Sequence, residues 1–193
     1  MFRLFSVLLL IVLFASCNSE YTPRPKGYFR IDFPERAYRT FDQPGYPYTF
    51  EYPVYAEVVK DSTFFEDDVK GQYWINIDFP RFNGKIYVSY KDVNNNFDAL
   101  VTDAFNMAYK QHTSRASGIE DSLIQTPNGL SGVFFKLSGN TATGRQFFIT
   151  DSTRHFLRGA LYFDATPNED SLGIVQRFLM EDMKHLVNTL KWK

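Results

Sequence analysis

Residues 130–164 read LSGVFFKLSGNTATGRQFFITDSTRHFLRGALYFD. Three runs rich in aromatic and β-branched side chains, Leu130 to Ser138, Arg145 to Asp151 and Arg154 to Asp164, alternate with short polar stretches. Such runs fit a pleated, half-buried surface and predict strands. Gly139-Asn140 with Gly144, and then Asp151-Ser152-Thr153, supply the turns. Connections this short can only join antiparallel neighbours. A fourth strand precedes them, Ile119 to Thr126, and Pro127-Asn128-Gly129 turns it into the meander.

Working outward, Glu169 to Leu190 keeps apolar residues at helical spacing: Ile174, Val175, Phe178, Leu179, Met183, Leu186, Val187 and Leu190. Thr166-Pro167 gives the helix a start signal, and Gly173 weakens its first turn. On the other side of the meander, Phe97, Leu100, Val101, Ala104, Phe105, Ala108 and His112 form one apolar stripe, which predicts a helix over 97–112. Asn95 is placed to cap it, with Asp98 three residues on. Upstream, 28–34, 48–53 and 73–80 alternate with period two and stop at proline, and Asn83-Gly84 reads as a hairpin turn into a strand over 85–90. Residues 64–71 read as an acidic loop. Ile31-Asp32-Phe33-Pro34 recurs as Ile77-Asp78-Phe79-Pro80; proline ends a strand because it cannot donate to the ladder, which explains the repeat without a duplication. Two helical stripes must be buried on a sheet, so the chain from 28 to 193 is expected to be a single α+β domain, with a predominantly antiparallel sheet flanked by helices.

The N-terminus has a different character. Arg3 precedes an apolar run from Leu4 to Phe14, then Ala15-Ser16-Cys17, and the chain turns polar at Asn18-Ser19-Glu20. A run this short falls below the roughly 20 residues a spanning helix needs, and it matches the apolar core of a secretory signal. Phe14-Ala15-Ser16-Cys17 resembles a lipobox, with Phe14 where leucine is preferred. Residues 1–16 are therefore expected to be a lipoprotein signal peptide, with Cys17 the acylated residue. Residues 17–27 would be the lipidated N-terminus and a tether, because Pro23, Arg24, Pro25, Lys26 and Gly27 carry no periodic apolar pattern. Asn18 is not the aspartate that retains many lipoproteins at the inner membrane, so the expected location is the outer membrane, facing the periplasm.

Cys17 is the sole cysteine, so no disulfide braces the folded part. Burial must hold it, and 20 Phe with 12 Tyr supply an unusually aromatic interior. A formal net charge of -1 gives no basic face for nucleic acid.

The chemistry-bearing patterns are sparse. His112, His155 and His185 stand apart from one another, and no zinc-type spacing occurs, so neither metal nor cofactor is expected. Asp182 and His185 share a helical side, which suits a local hydrogen bond better than a proton-transfer pair. No G-x-S-x-G element is present to build a serine nucleophile, and no catalytic residue is assigned. Asp92-Val93-Asn94-Asn95-Asn96-Phe97-Asp98 mimics the start of a calcium loop, but Phe97 holds the place of the required glycine and Asp103 that of the closing glutamate. A turn running into a helix accounts for these residues. Tyr46, Tyr48 and Tyr55, near Pro44-Gly45 and Pro47, are candidates for partner contact, since aromatics anchor interfaces as well as cores.

Pro23-Arg24-Pro25-Lys26-Gly27-Tyr28-Phe29-Arg30-Ile31-Asp32-Phe33-Pro34, just after the lipobox, and Asp182-Met183-Lys184-His185-Leu186 near the end resemble the gliding motility lipoprotein GldD family. The resemblance spans nearly the whole mature chain. It implies an envelope lipoprotein of the gliding machinery, linked to type IX secretion, working with other envelope proteins and without catalysis. The element order is also similar to the PsbP/Mog1-like α/β/α sandwich. The competing class is a periplasmic small-ligand-binding lipoprotein or envelope hydrolase, which would need a deep pocket with convergent polar groups; a scaffold would not.

Overall fold

The computed structural model describes residues 27, 30–61, 71–110 and 112–193. The expected signal peptide, Cys17, most of the tether and residues 64–70 of the acidic loop lie outside the described residues. Residues 32–193 form one compact unit. Of the preceding unit, Gly27, Arg30 and Ile31 are described, and each is exposed.

The meander predicted from 130–164 is the heart of a seven-stranded antiparallel sheet. The strands, in chain order, are β1 (Tyr38–Phe41), β2 (Tyr48–Pro53), β3 (Glu57–Lys60), β4 (Ile75–Phe79), β5 (Gly84–Asp92), β6 (Ala116–Gln125), β7 (Ser131–Gly139), β8 (Thr143–Thr150), β9 (His155–Phe163) and β10 (Lys191–Trp192). The described α-helices are α1 (Phe97–Tyr109) and α2 (Glu169–Thr189). The large sheet has the order β3-β4-β5-β9-β8-β7-β6, and a small sheet has the order β1-β2-β10. Every pairing is antiparallel.

Strand alternation sorts the side chains between two cores. Phe134, Phe147, Ile149, Leu157, Leu161, Ile77, Ile86 and Val88 face α2 and the small sheet, meeting Leu179, Met183, Leu186, Phe41, Tyr48 and Phe50. Val133, Phe135, Leu137, Phe148 and Phe156 point the other way, onto Leu100, Ala104 and Ala108 of α1. The result is an α+β layering with one helix on each face of the large sheet. Burying a Leu- or Phe-sized side chain contributes about 1.5–3 kcal/mol, so these two cores are the main stabilising element of a chain without disulfides.

Gly159 is a place where the larger core leaves no room for a side chain. A Cβ there would lie 2.4 Å from the ring of Phe147, which is fully buried.

Several sequence expectations are corrected. Of the strand expected over 28–34, residues 28 and 29 lie outside the described residues, and the described part from 30 on is irregular up to residue 37 rather than a strand. The helix expected over 97–112 ends at Tyr109. Its N-cap is Asn96 rather than Asn95, and no side-chain capping bond is made; Asn96 Oδ1 instead accepts from Asn94 N–H at 2.7 Å. Asn95 takes the left-handed conformation at φ 54. For α2 the cap is Asn168, whose side chain accepts from Ser171 N–H at 3.3 Å. The β4–β5 connection is a short 3-10 turn, Pro80–Phe82, ending in left-handed Asn83.

Candidate functional site

The first constellation joins the segment 32–41 to α2. Phe33 stacks on Phe178 at 4.4 Å between centroids, and the Arg36 guanidinium lies 4.3 Å over the same ring. One turn further along α2, the carboxylate of Asp182 is 2% exposed. It accepts from Tyr38 Oη at 3.0 Å and Arg36 Nε at 3.3 Å through Oδ1, and from Tyr55 Oη at 2.5 Å through Oδ2. A buried carboxylate persists only when its lone pairs are filled, and three donors do that here. Burial, followed by the bond to Asp182, pushes the Tyr38 phenol up to about 12 and raises Tyr55 further still. His185 does not pair with Asp182, contrary to the expectation of a local helix-surface bond. Its Nε2 lies 2.7 Å from Glu51 Oε2, and its ring stacks on Tyr38 at 3.6 Å. The acid and the imidazole are each occupied by other elements, so they form no proton relay. The cluster works as a clamp that fixes residues 33–38 to α2, the longest of the described helices.

The predicted partner-contact tyrosines divide. Tyr48 is fully buried, its hydroxyl donating to Tyr73 O at 2.5 Å, so it is a core residue rather than an exposed anchor. Tyr55 is half-buried and committed to Asp182. Tyr46 is also half-buried, edge-on to Phe41 at 5.2 Å.

A second polar knot surrounds His155, which is buried. Tyr90 Oη donates to Asp92 Oδ1 at 2.9 Å and lies 2.7 Å from His155 Nδ1. Trp192 stacks on the imidazole at 4.9 Å. Burial lowers His155 below its ordinary range, against the pull of Asp151. The Asp151 carboxylate is itself held low, because its Oδ1 accepts backbone N–H bonds from Thr153, Arg154 and His155. His112 is lowered by burial and by the nearby Arg158 charge. Among the described residues no group of three His, Cys, Asp or Glu is arranged to hold a metal ion. In the calcium-like stretch, Asp92 and Asn96 bond within the chain.

The third feature is a groove of about 1090 Å³ on the α1 side of the large sheet. α1 covers β6 to β9 and supplies one wall through Leu100, Asp103, Ala104 and Met107; β4, β5 and β9 form the floor. Two ion pairs lie in it, Lys85 to Asp78 at 3.4 Å and Lys91 to Asp103 at 3.5 Å. Tyr87 and Tyr162 meet edge to face at 5.5 Å. The described lining includes Ser89, Asp61, Asp164 and Arg158 besides these ion pairs, and no histidine.

No described helix is long and apolar enough to cross a membrane. The architecture is thus that of an α+β domain whose recognisable sequence stretches meet at a clamp: Phe33 comes from one, Asp182 and His185 from the other, and Phe178 with Arg36 joins them. The chain belongs to the gliding motility lipoprotein GldD family, whose model matches residues 18–192. No match is found among curated proteins. Among solved structures, the chain is similar to cyanobacterial PsbP (CyanoP) from Synechocystis, at 9% identity and a TM-score of 0.46, covering 86% of this chain and 98% of that one.

Proposed function

We propose that the protein is a non-catalytic component of the gliding machinery, acylated at Cys17, tethered to the outer membrane on its periplasmic side, and needed also for type IX secretion. Family membership over 18–192 carries this reading. The lipobox-like Phe14-Ala15-Ser16-Cys17 supports the anchor. Acyl chains bury roughly 0.8 kcal/mol per methylene, so several of them hold a soluble module on a bilayer stably.

The clamp supports a mechanical version of this role. Arg36, Tyr38 and Tyr55 converge on Asp182, so force arriving along the tether enters the domain at α2 rather than peeling β1 from the small sheet. Partners are other envelope proteins of the gliding or secretion systems. Crosslinking in cells, followed by identification of the captured proteins, tests this directly. Envelope proteins of those systems are the expected catch; recovery of a metabolite alone would favour the ligand-binding class instead.

A further inference from the structure

We propose that two copies of this chain join edge to edge through β6, pairing antiparallel about a two-fold axis at Leu123, so that the two large sheets become one.

β6 ends the strand order of the large sheet and has ten residues, against four in β3 at the other edge. Among the described residues no strand pairs with its outer side. Which backbone groups face outward follows from the ladder. Thr126 N–H donates to Leu130 O at 2.9 Å, and that pair continues the β6–β7 register, in which Gln125 lies opposite Ser131. Bond direction alternates along an antiparallel strand, so Ile124, Ser122 and Glu120 also turn their backbone groups to β7. Asp121, Leu123 and Gln125 therefore present N–H and C=O to the open edge. Such an unpaired row is a template for another strand, and proteins guard it with bulges and charge. Here the guards stand in the first part of the strand: the register shifts between Ala116 and Gly118, and Glu120 and Asp121 are its charged residues. Ser122 to Gln125 has neither device. Leu123, in the middle of this unguarded part, is 86% exposed, the highest among the described large apolar residues that are exposed.

The edge complements its own rotated copy, which is what a closed two-fold dimer requires. With the axis at Leu123, Leu123 meets Leu123 of the second copy, Asp121 meets Gln125, and Ser122 meets Ile124. The outward-facing residues then pair only with one another, and each facing pair exchanges two backbone bonds. Asp121 is held on the strand by Tyr109 Oη, which donates to its Oδ1 at 2.7 Å. A carboxylate has about four acceptor sites, so the Gln125 amide of the second copy can donate to it as well. Other axes fit less well. Centred on Glu120, on Asp121 or between them, the strands set acid directly against acid, which is unfavourable. Centred on Ser122, they set Asp121 against Leu123. On the α2 side, a groove of about 440 Å³ runs beside the edge, lined in part by Ile124, Phe134, Met180 and Val187. Ser122 pairs with Phe134 and shares that face, so Ile124 of the second copy, opposite Ser122, covers the groove. A foreign strand could use the backbone groups, but the match of leucine to leucine and acid to amide on both sides of one axis belongs to a second copy.

The test places Leu123→Cys in the full chain in its native host. Envelopes are oxidised with copper phenanthroline and read by non-reducing immunoblot, with mass spectrometry of any linked band. In the proposed register the two Cα atoms at 123 lie about 5.5 Å apart, within disulfide reach. Gly118→Cys is the comparison, because a Cβ there meets nothing within 4 Å. Its two copies would lie about 34 Å apart along the strands, at 3.4 Å per residue. The unaltered chain, whose sole cysteine is Cys17, reports any link through the N-terminus. Leu123→Cys should give a band of twice the chain's mass, several-fold stronger than either control. Adding Gln125→Pro removes an outward N–H from each copy while sparing the bonds to β7, and should weaken that band several-fold. Thermal melts establish that the proline variant folds, and the contrast between 123 and 118 stands without it. Absence of the dimer at 123, or equal linking at 123 and 118, would overturn the proposal. So would linking of Leu123→Cys chiefly to a different protein, which would make β6 a dock for a foreign strand. Dimer linking and gliding are separate readouts, so either can fail while the other stands.

Discussion

Replacing Asp182 with alanine strips three donors of their acceptor at once. Arg36, whose side chain is 37% exposed, can turn to water, so its share of the loss is small. Tyr38 and Tyr55 are half-buried and donate at 3.0 and 2.5 Å; their hydroxyls have far less access to solvent. A hydrogen bond to a charged group contributes about 1.5–3 kcal/mol, and removing one member of a buried charged network costs about 3–5 kcal/mol in total. For a unit of this size each kcal/mol moves the melting temperature by about 2–4 °C, so Asp182→Ala should lower it by roughly 6–20 °C. Tyr38→Phe, which deletes one bond and keeps the ring on His185, should cost about 1–2 kcal/mol. Near-UV circular dichroism of purified protein in mild detergent reads both. Limited trypsin digestion adds a local probe, since cleavage after Arg36 should quicken in the alanine variant before global unfolding does. A melting temperature within about 2 °C of wild type would mean that the clamp contributes little and that the tether is not locked to α2.

Other outcomes follow from particular contacts. Gly159→Ala should destabilise by at least about 1–3 kcal/mol in urea unfolding, because the added methyl meets the immobile Phe147 ring at 2.4 Å; an unchanged midpoint would show that the core can shift. Tyr38 is raised to about 12 from an ordinary 10.0, so its stabilising effect is complete below pH 10 and is lost as pH climbs through about 12. Absorbance at 295 nm should accordingly show the clamp tyrosines ionising only as the protein unfolds. His112 and His155 are lowered from 6.5, so the unfolded chain takes up protons first and stability should fall as pH drops below that value. NMR of the imidazoles checks this, with both expected to protonate at lower pH than a free histidine; protonation of either at its ordinary value would contradict the burial argument.

The meander and both helices were readable because their information is local. Alternation in 130–164 and the stripe ending at Leu190 are properties of adjacent residues, and tertiary packing had only to confirm them. The small sheet was harder. β1 has four residues and β10 two, and β10 exists because Lys191 and Trp192 lie beside β2, far away in sequence. Asp182 misled for the same reason. Its real partners Tyr38 and Tyr55 lie 144 and 127 residues away, whereas helical spacing suggested His185. The groove arises from a mismatch of widths. Seven strands at about 4.8 Å span close to 30 Å, and one helix about 10 Å across leaves part of that face bare. Which part depends on where α1 lands, which no periodicity reveals. One signal was present: Arg158 falls in phase with Phe156 and Ala160, a cation on an otherwise apolar face of β9.

The account rests on a folded module held to a membrane by lipid on Cys17. Mass spectrometry of the N-terminal peptide from protein purified out of its native membrane examines this most directly. The predicted result is a peptide that begins at Cys17 and carries acyl chains. A mature N-terminus without lipid, or one starting at another residue, would contradict it.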